Sequence, residues 1–179
     1  MLGFGILFAF FIQPILQFYQ QPFLQTEQLK QPIKILFSNL YKDNPNIEQI
    51  KEKILTENPD IVMFVEFSNA HKQALESFFD EHYPYMNMTT WSKILVGSVV
   101  FSKYPINNLA DDFEQGSWRY GYFQVEKEGV PYYFYEMHTS SPVSKYFFEK
   151  RNQQLQQVKT EFLDFHSNTR PQEAKIIMV

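Results

Sequence analysis

The sequence predicts an α/β fold, because apolar runs of strand type alternate with amphipathic runs of helix type. Three of the strand-like runs end on polar residues suited to metal or phosphate chemistry: IKILFS into Asn39, DIVMFV into Glu66, and VPYYFYEM into His138. In open α/β sheets ligands collect at the carboxyl ends of strands, so these three residues point to one shared site. A fourth run, AKIIMV, reaches Val179, where the chain stops.

Each element has its own signal. The domain begins near Ile33, and its first strand runs to Asn39. Asn44 and Pro45 read as the N-cap and first residue of a helix over about 46–57, whose Ile47, Ile50, Ile54 and Leu55 share a face. Pro59 breaks that helix, and 60–66 is a continuous apolar strand of the kind buried on both faces. Residues 69–82 form a second amphipathic helix through Ala70, Ala74, Leu75 and Phe78, and YPYMNMTTWSK after it reads as a loop.

From Leu95 the pattern turns to strands: LVGSVVFS, SWRYGYFQVE and PYYFYEMH, the last pair joined by a short turn at Glu128 and Gly129, as in a hairpin or meander. Ser141 and Pro142 can start the long helix in which Phe148, Leu155, Val158, Phe162 and Phe165 recur at helical spacing. AKIIMV is a strand by composition.

The 179 residues, 44% hydrophobic, suit one domain with a single core. A formal net charge of -4 argues against a domain that holds nucleic acid mainly by neutralising phosphates. The absence of cysteine excludes disulfides, zinc-thiolate sites and thiol nucleophiles. Gly-rich phosphate loops, a Ser nucleophile elbow and a His-Glu-x-x-His helix are also missing.

Residues 1–19 carry no charge, and as a helix they extend about 29 Å, nearly a bilayer core. They read as a transmembrane segment kinked at Pro14, with residues 20–32, Gln-rich and holding Pro22 and Pro32, as a linker. Lys30 and Lys34 alone favour a cytoplasmic domain by the positive-inside tendency. The overall expectation is nevertheless a bacterial-type inner membrane with the domain on its outer, periplasmic or extracellular, side.

Glu66 is the sharpest residue, since a carboxylate ending an apolar strand needs exposure, a partner or a cation. Hard cations such as Mg²⁺ take one or two carboxylates and fill their other positions with water or phosphate. Asn39 can orient that carboxylate or add a neutral oxygen ligand, and His138 can donate to a phosphate oxygen or act as general acid or base. Each residue alone has a plainer reading, as a surface acid, a turn former and a structural imidazole. His71, His82 and His166 lie in helices or at their ends and read as surface residues. Asn87-Met88-Thr89 matches a glycosylation triplet.

The arrangement resembles the endonuclease/exonuclease/phosphatase superfamily over Ile33 to Val179. The resemblance rests on IKILFSNL with Asn39, NPDIVMFVEF with Glu66, HYPY followed by GSVVFSKYPI, and EMHTSSP with His138 and Pro142. RNQQLQQV resembles the membrane-anchored bacterial branch. The implied fold is two packed mixed β-sheets flanked by helices, the deoxyribonuclease I-like α/β/β/α sandwich. The implied reaction is metal-dependent hydrolysis of a phosphoester, whether lipid, nucleotide or nucleic acid.

By that resemblance Glu66 is the Mg²⁺ (or Mn²⁺) ligand, Asn39 supports or joins the metal site, His138 hydrogen-bonds the scissile phosphate, and Arg151 is an extra phosphate contact. No protein partner is implied. The family's Gly-Asp-Phe-Asn segment and terminal Asp-His pair are not found in the sequence. The expectation is therefore a C-terminally incomplete sandwich, catalytically dead alone, or else a noncatalytic membrane-anchored binding module that retains the fold.

Overall fold

In a computed structural model, residues 32–90, 96–111, 120–168 and 175–178 are described. The strands are β1 (Ile35–Asn39), β2 (Ile61–Val65), β3 (Tyr85–Thr90), β4 (Val96–Ser102), β5 (Ile106–Asp111), β6 (Tyr120–Lys127), β7 (Val130–Met137) and β8 (Lys175–Met178). The helices are α1 (Ile47–Glu57), α2 (Asn69–His82) and α3 (Lys145–Asn168). The strands form two four-stranded sheets, ordered β1-β2-β4-β3 and β5-β6-β7-β8. Both are mixed: β1 runs parallel to β2 and β8 to β7, while the other neighbours are antiparallel.

Strand β2 organises the layers, because its alternating side chains serve two cores. Val62 and Phe64 join Ile54 of α1 and Leu75 and Phe79 of α2 on one face of the first sheet. Ile61 and Met63 meet Phe123, Val125, Tyr132 and Phe134 of the second sheet on the other face. All five residues of β2 are buried, which explains an uninterrupted apolar run rather than an alternating one. The two sheets therefore pack face to face with helices flanking them, as the resemblance implies.

Several local expectations are revised. The cap of α1 is Asn46, not Asn44, whose side chain instead accepts from the Asn46 N–H at 3.0 Å. Leu55 points outward at 56% exposure. The buried stripe of α2 is His71, Leu75 and Phe79, whereas Ala70 and Ala74 are exposed. Helix α3 starts at Lys145, after Ser144 rather than at Ser141 and Pro142, and buries Gln154 and Val158 while Phe148 and Leu155 stay largely exposed.

Tyr85–Thr90 is a strand, not a loop, and Ile106–Asp111 is a strand the periodicity misses. Each sits at the edge of its sheet, where cross-strand pairing rather than intrinsic propensity makes the strand. The Asn87 amide of β3 donates to Asn108 Oδ1 of β5 at 2.7 Å and so joins the two edges.

The turn at Glu128 and Gly129 forms with φ of 52° and 79°, the pair of positive values that a two-residue type I′ hairpin requires. Among the described residues no helix is long and apolar enough to cross a membrane. The expected membrane segment at 1–19 and most of the linker at 20–32 lie outside the described residues.

Candidate metal and phosphate site

Parallel pairing brings two of the three expected site residues together. Asn39 is in register with Val65, so Asn39 and Glu66 leave neighbouring strand ends in the same direction. The Asn39 amide nitrogen donates to Glu66 Oε1 at 2.8 Å. His138 follows the last residue of β7 in the opposite sheet, and its Nε2 lies 3.7 Å from the same Oε1. Strand ends from both sheets thus converge on one carboxylate.

The backbone at Glu66 is strained for this purpose. Its φ is +57°, a left-handed conformation that costs a non-glycine residue roughly 1–2 kcal/mol. The carboxylate is held at the mouth, with its side chain 34% exposed, instead of following the pleat inward. Oε1 faces Asn39 and His138, while among the described residues no donor reaches Oε2.

Asn39 acts by orientation. Its Oδ1 accepts from the Tyr41 N–H at 2.9 Å, which fixes the amide so that nitrogen, not oxygen, faces Glu66.

Arg151 is not bonded to this group. Its guanidinium sits 4.9 Å from the Phe148 ring centroid and donates to Asn152 Oδ1, with no hydrogen bond or ion pair to Glu66, Asn39 or His138.

Two further residues at this end escape a reading by sequence alone. Glu136, two residues before His138, is 3% exposed, and its Oε1 has no hydrogen-bond partner. Burial pushes its carboxyl up to about 8, against a hydrogen bond with Ser98 that favours the ionised form. His71, expected on the surface, is 1% exposed. Only its place three residues after Ser68, the N3 position of a capping box, could have signalled this.

The donor set suits a hard cation. Among the described residues no three His, Cys, Asp or Glu side chains cluster to hold a metal. One carboxylate with an open oxygen, backed by an amide, matches an ion that keeps water or phosphate in its remaining positions. A cavity of about 320 Å³ beside β1 reaches Asn39, Asn44 and Gln49 but not Glu66 or His138.

No protein-family model and no curated protein matches the chain. Solved structures do. A double mutant of beta toxin from Staphylococcus aureus with bound magnesium ions is 20% identical, with a TM-score of 0.61 over 83% of this chain and 63% of that one. Sphingomyelinase C from Streptomyces griseocarneus is 19% identical, with a TM-score of 0.60 over 83% and 63%. An endonuclease/exonuclease/phosphatase from Beutenbergia cavernae is 19% identical, with a TM-score of 0.53 over 70% and 43%. The chain spans less than two thirds of the length of each of these structures. The likeness is one of fold: the chain carries the deoxyribonuclease I-like sandwich of these solved structures, two mixed sheets with flanking helices.

Proposed function

We propose that Glu66, Asn39 and His138 form the metal and phosphate side of a phosphoester hydrolase site. The observation that carries this reading is the Glu66 carboxylate, held on a left-handed backbone with one oxygen engaged and the other open. Glu66 Oε2 would hold Mg²⁺ or Mn²⁺, which supplies Lewis-acid neutralisation of charge on a phosphoryl oxygen. The magnesium of the beta toxin structure and the name of the sphingomyelinase support that class of chemistry. Asn39 keeps the carboxylate aimed outward. His138, beside Oε1, donates a hydrogen bond to the phosphate.

The 179-residue polypeptide holds metal but turns over no substrate, because no Gly-Asp-Phe-Asn segment or Asp-His pair is present to place and deprotonate water. Residues 1–19 tether it to a bilayer.

The test is calorimetric titration of the full chain in detergent with Mg²⁺ and with Mn²⁺, comparing wild type and Glu66→Ala. The substitution abolishes measurable binding, and unaltered affinity refutes the site. Hydrolysis of bis(p-nitrophenyl) phosphate stays at background, and Glu66-dependent turnover refutes the inactivity. Deleting residues 1–30 moves the protein to the soluble fraction, whereas persistent membrane association refutes the tether.

A further inference from the structure

We propose that His71 is a positioning residue for the Glu66 carboxylate, locking the loop after β1 to the loop after β2. This rests on the reading of Glu66 as a metal ligand.

The Ser68 N–H donates to His71 Nδ1 at 3.2 Å, so Nδ1 carries a lone pair and the ring proton sits on Nε2. Nε2 then donates to the Asn44 carbonyl at 2.9 Å. The His71 N–H in turn donates to Ser68 Oγ at 3.3 Å, closing a capping box in which His replaces the usual Glu or Gln. The ring is buried 5.7 Å from that of Phe67, which follows Glu66 directly.

These bonds complete a circuit around the site. Glu66 Oε1 accepts from Asn39, Asn39 Oδ1 accepts from the Tyr41 N–H, and the Tyr41 carbonyl accepts from the Asn44 N–H at 2.9 Å. The Asn44 carbonyl accepts from His71, and His71 accepts from Ser68, two residues beyond Glu66. Two of the linked residues, Tyr41 and Glu66, have φ of 58° and 57°, conformations that persist only where the surroundings over-determine them. His71 is the side chain that spans the two loops from behind, while Asn39 spans them from the front. Without His71, the hydrogen bonds that tie the two strand ends at Glu66 are those of Asn39 and of the Leu40 N–H with the Val65 carbonyl among the described residues.

The test compares His71→Leu, which fills the buried space without bonding, with His71→Gln, which restores both an acceptor for Ser68 and a donor for Asn44. Each is titrated with Mg²⁺ as the full chain, and the Asn39 side-chain amide is followed by nitrogen NMR without metal. Tyr83→Phe serves as the stability control, since it removes a buried bond to the Pro59 carbonyl at the other end of β2.

His71→Leu lowers Mg²⁺ affinity about tenfold or more and shifts the Asn39 amide signal, the scale seen for outer-shell partners. His71→Gln stays within about threefold of wild type on that same scale, and Tyr83→Phe leaves affinity unchanged at a comparable loss of melting temperature. The proposal is overturned if His71→Leu retains wild-type affinity and amide signal while Glu66→Ala loses binding. It is equally overturned if Tyr83→Phe weakens Mg²⁺ as much as His71→Leu does. Unaltered binding in Glu66→Ala removes the metal site and this role with it.

Discussion

Strand β2 is flanked by two carboxylates, Asp60 at its entry and Glu66 at its exit, and the protein treats them in opposite ways. Asp60 is saturated: it accepts from the Lys34 N–H at 2.7 Å, from Lys127 Nζ at 2.8 Å and from the Tyr104 hydroxyl at 3.3 Å. Burial pushes its carboxyl up, but the Lys127 ammonium and these donors outweigh that and hold it below the usual value. Glu66 has one amide donor, a distant imidazole, a strained backbone and an open oxygen. A carboxylate satisfied by its own chain ties structure together. One left half-satisfied at a strand mouth keeps an oxygen open to an outside partner.

A third carboxylate sharpens the contrast and gives the largest expected effect. Glu136 is buried without a cation, and its pKa rises from 4.5 to about 8. Between those values the unfolded chain releases this proton while the folded chain keeps it, so stability falls as pH rises. Glu136→Gln removes that slope and gains a few kcal/mol at pH 8 relative to wild type. Urea melts at pH 5 and pH 8 check it. Equal slopes in the two proteins break the assignment.

Next in size, Asp60→Asn strands Lys127 and costs about 3 kcal/mol, the low end for removing one partner of a buried pair. Asp60 and Lys127 are only 14% and 16% exposed, so solvent screens the pair little. Mg²⁺ affinity is unmoved. Because the folded pKa of Asp60 is lowered, its contribution is present above its ordinary value of 3.8 and fades as pH falls through the folded one. The difference between mutant and wild type therefore shrinks in acid.

Glu66→Gln shows the converse pattern: Mg²⁺ affinity drops about 100-fold while stability changes by less than about 0.5 kcal/mol, as for a surface substitution. Paired calorimetry and chemical melts decide it. If both substitutions shift both quantities, the division of labour along β2 fails.

The smallest effect is the most discriminating. Glu66→Gly relieves the positive φ and raises stability by about 1 kcal/mol while eliminating metal binding. A thermal melt that moves down instead removes strain from the account of this site.

How much of this was legible in the sequence follows from what each signal reports. Strand ends at Asn39, Glu66 and His138 were readable because apolar runs stop where side chains meet solvent, and the two-sheet fold followed from the resemblance those motifs carry. Edge strands β3 and β5 are not readable, since Asn87, Asn107 and Asn108 have weak strand preference and cross-strand partners supply the order. His71 was misread because a polar residue on a helix is normally solvated, and only the capping geometry with Ser68 buries it. The same error displaced the inward stripe of α2 onto Ala70 and Ala74. The direction of the Asn39 amide is set by the Tyr41 N–H at its oxygen, a contact that no pattern of residue types encodes.

The bond between Lys127 and Asp60 has a mechanical consequence. It staples the β6–β7 hairpin to the start of β2, so the two sheets share a pinned end.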